Sequence, residues 1–179
     1  MTKQQKVPIK IPKEYSKDER EAIALDIVEF IRERTREKGL DKDNKKMPKY
    51  SKGYEKSLDF RVAGKSKKVD LTLTGDMLDL LDVIKTAKGK IEVGYQESDP
   101  INGKVEGNRL GTYGNKTPTG KARDFLGIAP KDLDAILKKY PLDDARERIT
   151  RALSVLSASE KAAESTLENL EDAIERLED

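Results

Sequence analysis

Hydrophobic residues along this chain fall into short patterned stretches, each with its own period. Ile23, Ile27, Phe30 and Ile31 recur at helical spacing, which predicts an amphipathic helix with one packing face. Its start reads Ser16-x-x-Glu19, a capping box in which each side chain satisfies an otherwise unpaired backbone donor. Its last turns carry Arg32, Arg34, Arg36 and Lys38, and Gly39 follows. Cations suit the negative end of a helix dipole, and glycine accepts the left-handed stop. Ahead of this helix, Val7, Ile9 and Ile11 alternate with Pro8, Lys10 and Pro12. Proline has no N–H to give a sheet, so residues 1–13 read as an extended arm of polyproline or edge-strand character. Such an arm either hangs free or lies along a neighbouring chain. The second alternative makes Val7, Ile9 and Ile11 subunit-interface candidates. It also predicts that deleting residues 1–13 spares the monomer fold but abolishes assembly.

Period two returns further on. Val69, Leu71 and Leu73 alternate with Asp70, Thr72 and Thr74, as in a half-buried strand. Met77, Leu80, Leu81 and Ile84 suit a short helical turn that runs into a strand near Asp82 to Thr86. After a turn at Ala87-Lys88-Gly89-Lys90, the alternation resumes through Ile91, Val93 and Tyr95. These stretches predict an antiparallel meander that receives the first helix. Residues 97–120 contain five glycines and read as a long loop. Pro130 then opens a helix through Leu133, Ile136 and Leu137 to Tyr140.

Beyond Leu142 the period becomes that of a coiled coil. Leu153, Leu156, Ala163, Leu167, Leu170, Ile174 and Leu177 follow steps of four and three, with Arg146 and Glu160 interrupting the seam. Ser157-x-x-Glu160 is a second capping box, so this helix either runs on or breaks there and folds back. A seam of this kind wants a partner, which adds Leu167, Leu170, Ile174 and Leu177 to the interface candidates. The organisation is therefore an arm (1–13), a body (14–141) and a helical extension (142–179).

Composition narrows the chemistry. The 179 residues include no Cys and no His. The chain thus lacks the commonest general base and the thiolate and imidazole metal ligands. Hydrophobic residues make up 35% against 39% charged, a thin core of the kind neighbouring chains complete. No apolar run reaches the ~20 residues of a membrane span, and MTKQQKVPIKIPK has no signal-peptide core, so a soluble cytoplasmic product is expected.

Charge divides the chain. Residues 1–142 hold 31 Lys/Arg against 23 Asp/Glu, while residues 143–179 hold 5 against 11. The basic excess of the body reads as spread along it, which fits a nucleic-acid-facing body, a solvated surface, or subunits meeting body to tail. Between Leu40 and Lys56, Tyr50 and Tyr54 punctuate Lys45, Lys46, Lys49, Lys52 and Lys56. Interleaving of this kind can stack on bases, but the favoured reading is a loop whose tyrosines tuck back onto the body.

Candidate sites for small ligands are weak. Gly114 to Lys121 reads GNKTPTGK. It holds five residues between its glycines where a P-loop needs four, and Ala122 stands where a magnesium-binding Ser or Thr belongs. Asp76, Asp79, Asp82, Glu97 and Asp99 are expected to cap turns or stay solvated rather than gather a metal. No catalytic residue, metal or cofactor is expected.

The order of several segments carries a further signal. IRERT closes the first helix, MPKYSKGYEKS follows, and then come LTLTGDML, IEVGY, GTYGN and RDFLGI. This order over residues 8–140 resembles the phage virion-morphogenesis proteins of the tail-completion and head–tail joining type. Asp124 stands where such proteins often carry proline, and no His precedes the loop glycine. The resemblance implies an α+β fold, with a small antiparallel sheet packed by the N-terminal helix. It implies a structural role: an oligomeric ring at the neck between a DNA-filled head and the tail, contacting other neck, connector or tail proteins. The product would be made in the host bacterial cytoplasm and end in the virion, with no membrane partner. In such a ring Gly111, Tyr113 and Gly114 join the arm and tail as interface candidates. Lys65, Lys67, Lys68, Lys116, Lys121 and Arg123 become candidates to face genomic DNA in the lumen without sequence selection. The alternative is a basic nucleic-acid-binding module that dimerises through its C-terminal coiled coil.

Overall fold

The computed structural model describes residues 3–62, 64, 68–71, 76–112, 121–142 and 153–167. The chain forms two compact units, Met1–Tyr140 and Pro141–Asp179.

The first unit is α+β. The central strand of its three-stranded antiparallel sheet is β3 (Lys90–Gly94), flanked by β1 (Lys6–Lys10) and β2 (Asp82–Ala87). Ile9 lies opposite Ile91, and Val7 and Val83 lie opposite Val93. These apolar positions form the inner face. A bulge between Val83 and Lys85 restores the alternation in β2. On the outer face Glu92 pairs with Lys6 and Lys90. These two hydrogen bonds hold its carboxyl below the usual carboxylate range.

Across the inner face runs α1 (Lys17–Glu33), burying Ile23, Ala24, Ile27, Val28 and Ile31. The expected capping box is formed, with Ser16 N–H donating to Glu19 and Glu19 N–H to Ser16. The helix then widens into a π-helical turn, Arg34–Lys38, and stops at Gly39 with φ 63°. A side chain at Gly39 would also meet the Val69 carbonyl oxygen at 2.8 Å, so both conformation and space require glycine there.

Among the described residues, three short helices and two longer ones complete the unit: α2 (Lys52–Glu55), α3 (Leu58–Val62), α4 (Asp76–Asp79), α5 (Asn102–Leu110) and α6 (Pro130–Leu137). Arg32 reaches from α1 to donate to the carbonyls of Leu78, Asp79 and Leu81 at 3.0, 3.0 and 2.7 Å. It therefore caps the open end of α4. Tyr15 donates to the Tyr140 carbonyl at 3.0 Å, tying the start of α1 to the segment after α6.

Three expectations are corrected. First, the arm is a strand of the chain's own sheet, and Ile9 and Ile11 are 6% and 7% exposed in its core. Second, Val69 to Leu71 is not a strand: Val69 and Leu71 are buried, but Leu71 turns through φ 55°. The rest of that expected strand, residues 72–75, lies outside the described residues. Third, the glycine-rich stretch contains α5, whose Val105 is fully buried. In the second unit, residues 153–167 are helical without interruption, so no break occurs at Ser157 or Glu160.

Candidate functional site

The segment Arg123–Ile128 is where the separated motifs of the body meet. Arg34 projects from the end of α1 and is 1% exposed. Its guanidinium donates to the carbonyls of Phe125 and Gly127, the latter at 2.9 Å, and lies 5.7 Å from the Phe30 ring centroid. Burial pushes this group down to about 10, against the pull of Asp132, Asp41, Asp43 and Asp124, so it stays charged at neutral pH. Asp124 in turn accepts from Arg109 of α5 at 2.8 Å and pairs with Lys42 at 3.1 Å.

Arg123 is also buried, 6% exposed. It donates to the carbonyls of Pro48 and Lys49 at 3.0 and 3.1 Å and sits 5.0 Å over the Tyr50 ring. It is therefore a strut inside the body rather than a residue facing DNA. Behind it, Tyr50, Tyr54 and Phe60 form a knot of rings with centroids 5.1 to 5.8 Å apart. Burial, with Asp70 next, pushes the Tyr50 hydroxyl up to about 12. An acid raised in the fold stays protonated while its unfolded counterpart ionises, so stability should fall as pH rises from 10 to 12. Denaturant melts across that range should show the fall, and Tyr50→Phe should reduce it.

A second junction joins β1 to α5. Asn102, 1% exposed, accepts from the Gln5 N–H at 2.7 Å and donates to the carbonyls of Gln96 and Asp99, both at 2.8 Å. Gln5 accepts from Arg109 at 3.0 Å. At Gly94 the backbone passes so close to Gln5 and Lys6 that a Cβ would lie 2.6 Å from the Lys6 Cα.

Compared with known family models, curated proteins and solved structures, the chain matches none.

The candidate residues from the sequence fare differently. Ile9 and Ile11 face the chain's own core, and Val7 is half-buried beside them, so the two isoleucines are not available to clamp a neighbour. Gly111 is the left-handed cap of α5 at φ 72°, with a Cβ position 2.8 Å from the Ala122 nitrogen. Its close approach is thus to its own chain. Leu167 is 60% exposed, as are Leu153 at 61% and Leu156 at 60%. Lys68 is exposed and donates to the Glu37 carbonyl at 3.2 Å, and Lys121 is exposed. Tyr113, Gly114, Leu170, Ile174, Leu177, Lys65, Lys67 and Lys116 lie outside the described residues, as does the P-loop-like stretch up to Gly120.

Among the described residues no cluster of three or more Asp or Glu is arranged to hold a metal. Asp79 pairs with Arg36, and Asp99 accepts from the Ile101 N–H. A shallow cavity of about 520 Å³ lies beside the start of α1, lined by Lys13, Glu14, Tyr15, Arg20 and Lys88. No described helix is long and apolar enough to cross a membrane.

The residues missed by sequence reading are the buried cations Arg34 and Arg123 and the buried amide Asn102. Arg34 stood in a run of four cations that helix-dipole reasoning places in solvent. Asp41, Asp43, Asp124 and Asp132 around it are scattered through the sequence, so no local signal marked it.

Proposed function

We propose that this chain is a structural protein of a tailed-phage particle, assembling as an oligomeric ring at the head–tail interface. What supports the reading most is convergence. Three of the segments whose order resembles tail-completion and head–tail joining proteins, IRERT, MPKY and RDFLGI, pack on one another. Arg34 of IRERT holds Phe125 and Gly127 of RDFLGI, and Arg123 of RDFLGI holds Pro48 and Lys49 of MPKY. IEVGY supplies the central strand. These four described segments thus contribute to the frame of the body. The role is architectural rather than enzymatic, in the virion, beside other neck, connector or tail proteins.

A second reading is a nucleic-acid-binding module that dimerises through its C-terminal coiled coil. It is favoured by Leu153, Leu156 and Leu167, which keep heptad spacing and stand about 60% exposed on the described helix. Native mass across a range of concentrations separates the two. The ring predicts a closed assembly of many copies, such as six or twelve. A dimer that disappears on cleavage after Leu142 would replace it with the coiled-coil module.

A further inference from the structure

The positive charge of the body is uneven, and its largest excess falls in one segment. Residues 42–68 hold ten Lys/Arg and three Asp/Glu, a net of +7, whereas the whole of residues 1–142 has a net of +8. Within it, Lys45, Lys46, Lys49, Lys52 and Lys56 are all exposed. Their ammonium groups have no hydrogen-bonding or ion-pair partner among the described residues. Several cations elsewhere are paired instead: Lys6 and Lys90 share Glu92, Lys42 has Asp124, and Lys139 has Asp26.

The backbone that carries these five lysines is fixed to the body. Asp41 accepts from the N–H groups of Asp43 and Lys45 at 2.9 and 2.8 Å. Arg123 holds the carbonyls before Tyr50, and the Tyr50 hydroxyl donates to Asp70 at 3.3 Å. The rings of Tyr50 and Tyr54 pack on Phe60, and Arg123 covers Tyr50. The tyrosines are thus engaged inward while the lysines stand outward.

We propose that residues 45–56 are a docking platform for the phosphate backbone of nucleic acid, contacted through Lys45, Lys46, Lys49, Lys52 and Lys56. Uncompensated ammonium groups hold counterions that a polyphosphate releases. Lysine is a point charge on a flexible stem, which meets phosphate oxygens in any register. With the aromatic rings packed against one another, the platform supplies charge and no base readout. This deepens the ring reading by naming the surface that meets DNA, yet the isolated chain carries the platform.

The test is fluorescence anisotropy of the full chain with two unrelated short DNA duplexes over a series of salt concentrations. Both duplexes should bind alike, with a log–log salt slope of about −4 to −5 for five neutralised phosphates. The double variant Lys49→Glu/Lys52→Glu should bind more than about tenfold more weakly, with a slope shallower by about 2. Its circular dichroism and melting temperature should match the parent. Absence of binding at low salt, or equal binding by the variant, overturns the proposal. So does a variant that keeps DNA binding and loses self-association, which would assign the lysines to the acidic residues 143–179 of a second copy. Native mass on the same samples separates the two readings. DNA binding without a ring removes the ring alone, and a ring without DNA binding removes the platform alone.

Discussion

Removing residues 1–11 should unfold the α+β unit rather than merely block assembly. The truncation takes away β1 and with it one whole hydrogen-bonded edge of β3. It also removes Ile9 and Ile11, both under 10% exposed, and the Gln5 contacts that anchor Asn102 and Arg109. Loss of each buried isoleucine side chain costs about 2–5 kcal/mol. Two such losses approach the roughly 5–15 kcal/mol that holds a domain together. Denaturant melts of the full and truncated chains provide the measurement. A truncated chain that melts cooperatively at the parent midpoint would return the arm to the role of an accessory clamp. Ile9→Ala alone should lower stability by about 2–4 kcal/mol.

Arg34→Met should be the most damaging single substitution in the body. It leaves the Phe125 and Gly127 carbonyls without their donor inside the protein, and buried acceptors left unpaired cost about 1–3 kcal/mol each. It also removes the positive charge to which Asp132, Asp41, Asp43 and Asp124 are attracted. Arg34→Lys should recover part of the loss, because an ammonium keeps the charge but cannot span the same carbonyls as a planar fork. Equal stability of parent and Arg34→Met would remove the clamp from the account of this fold. Half-exposed Arg36, paired with exposed Asp79, is the control: Arg36→Met should change stability by less than about 1 kcal/mol.

What the sequence could reveal was whatever depends on neighbours in the chain. The capping box at Ser16 and Glu19, the buried stripe of α1, the stop at Gly39 and the hairpin of β2 and β3 are set by residues a few positions apart, and all were legible. Helix α5 was not, because Gly103 and Gly107 each weaken a helix by about 1 kcal/mol relative to Ala. Its formation rests on burial of Val105 and on the Asn102 junction with a strand almost a hundred residues earlier. Strand β1 was legible as extended chain, since Pro8 suits an edge, but its partner was not. Pairing Lys6–Lys10 with Lys90–Gly94 is a choice among distant edges that no local period encodes.

The charged residues divide in the same way. By itself the sequence determined that the chain is basic in its body, acidic in its tail, and free of His and Cys. Only the tertiary structure decided which cations are available to a partner. Arg34 and Arg123 disappear into the frame because distant backbone carbonyls wait for them there. Lys45, Lys46, Lys49, Lys52 and Lys56 stay outside because the rings between them turn inward and no described carboxylate comes to meet them. A side chain's charge is a local property, whereas its burial and pairing depend on what folding brings next to it.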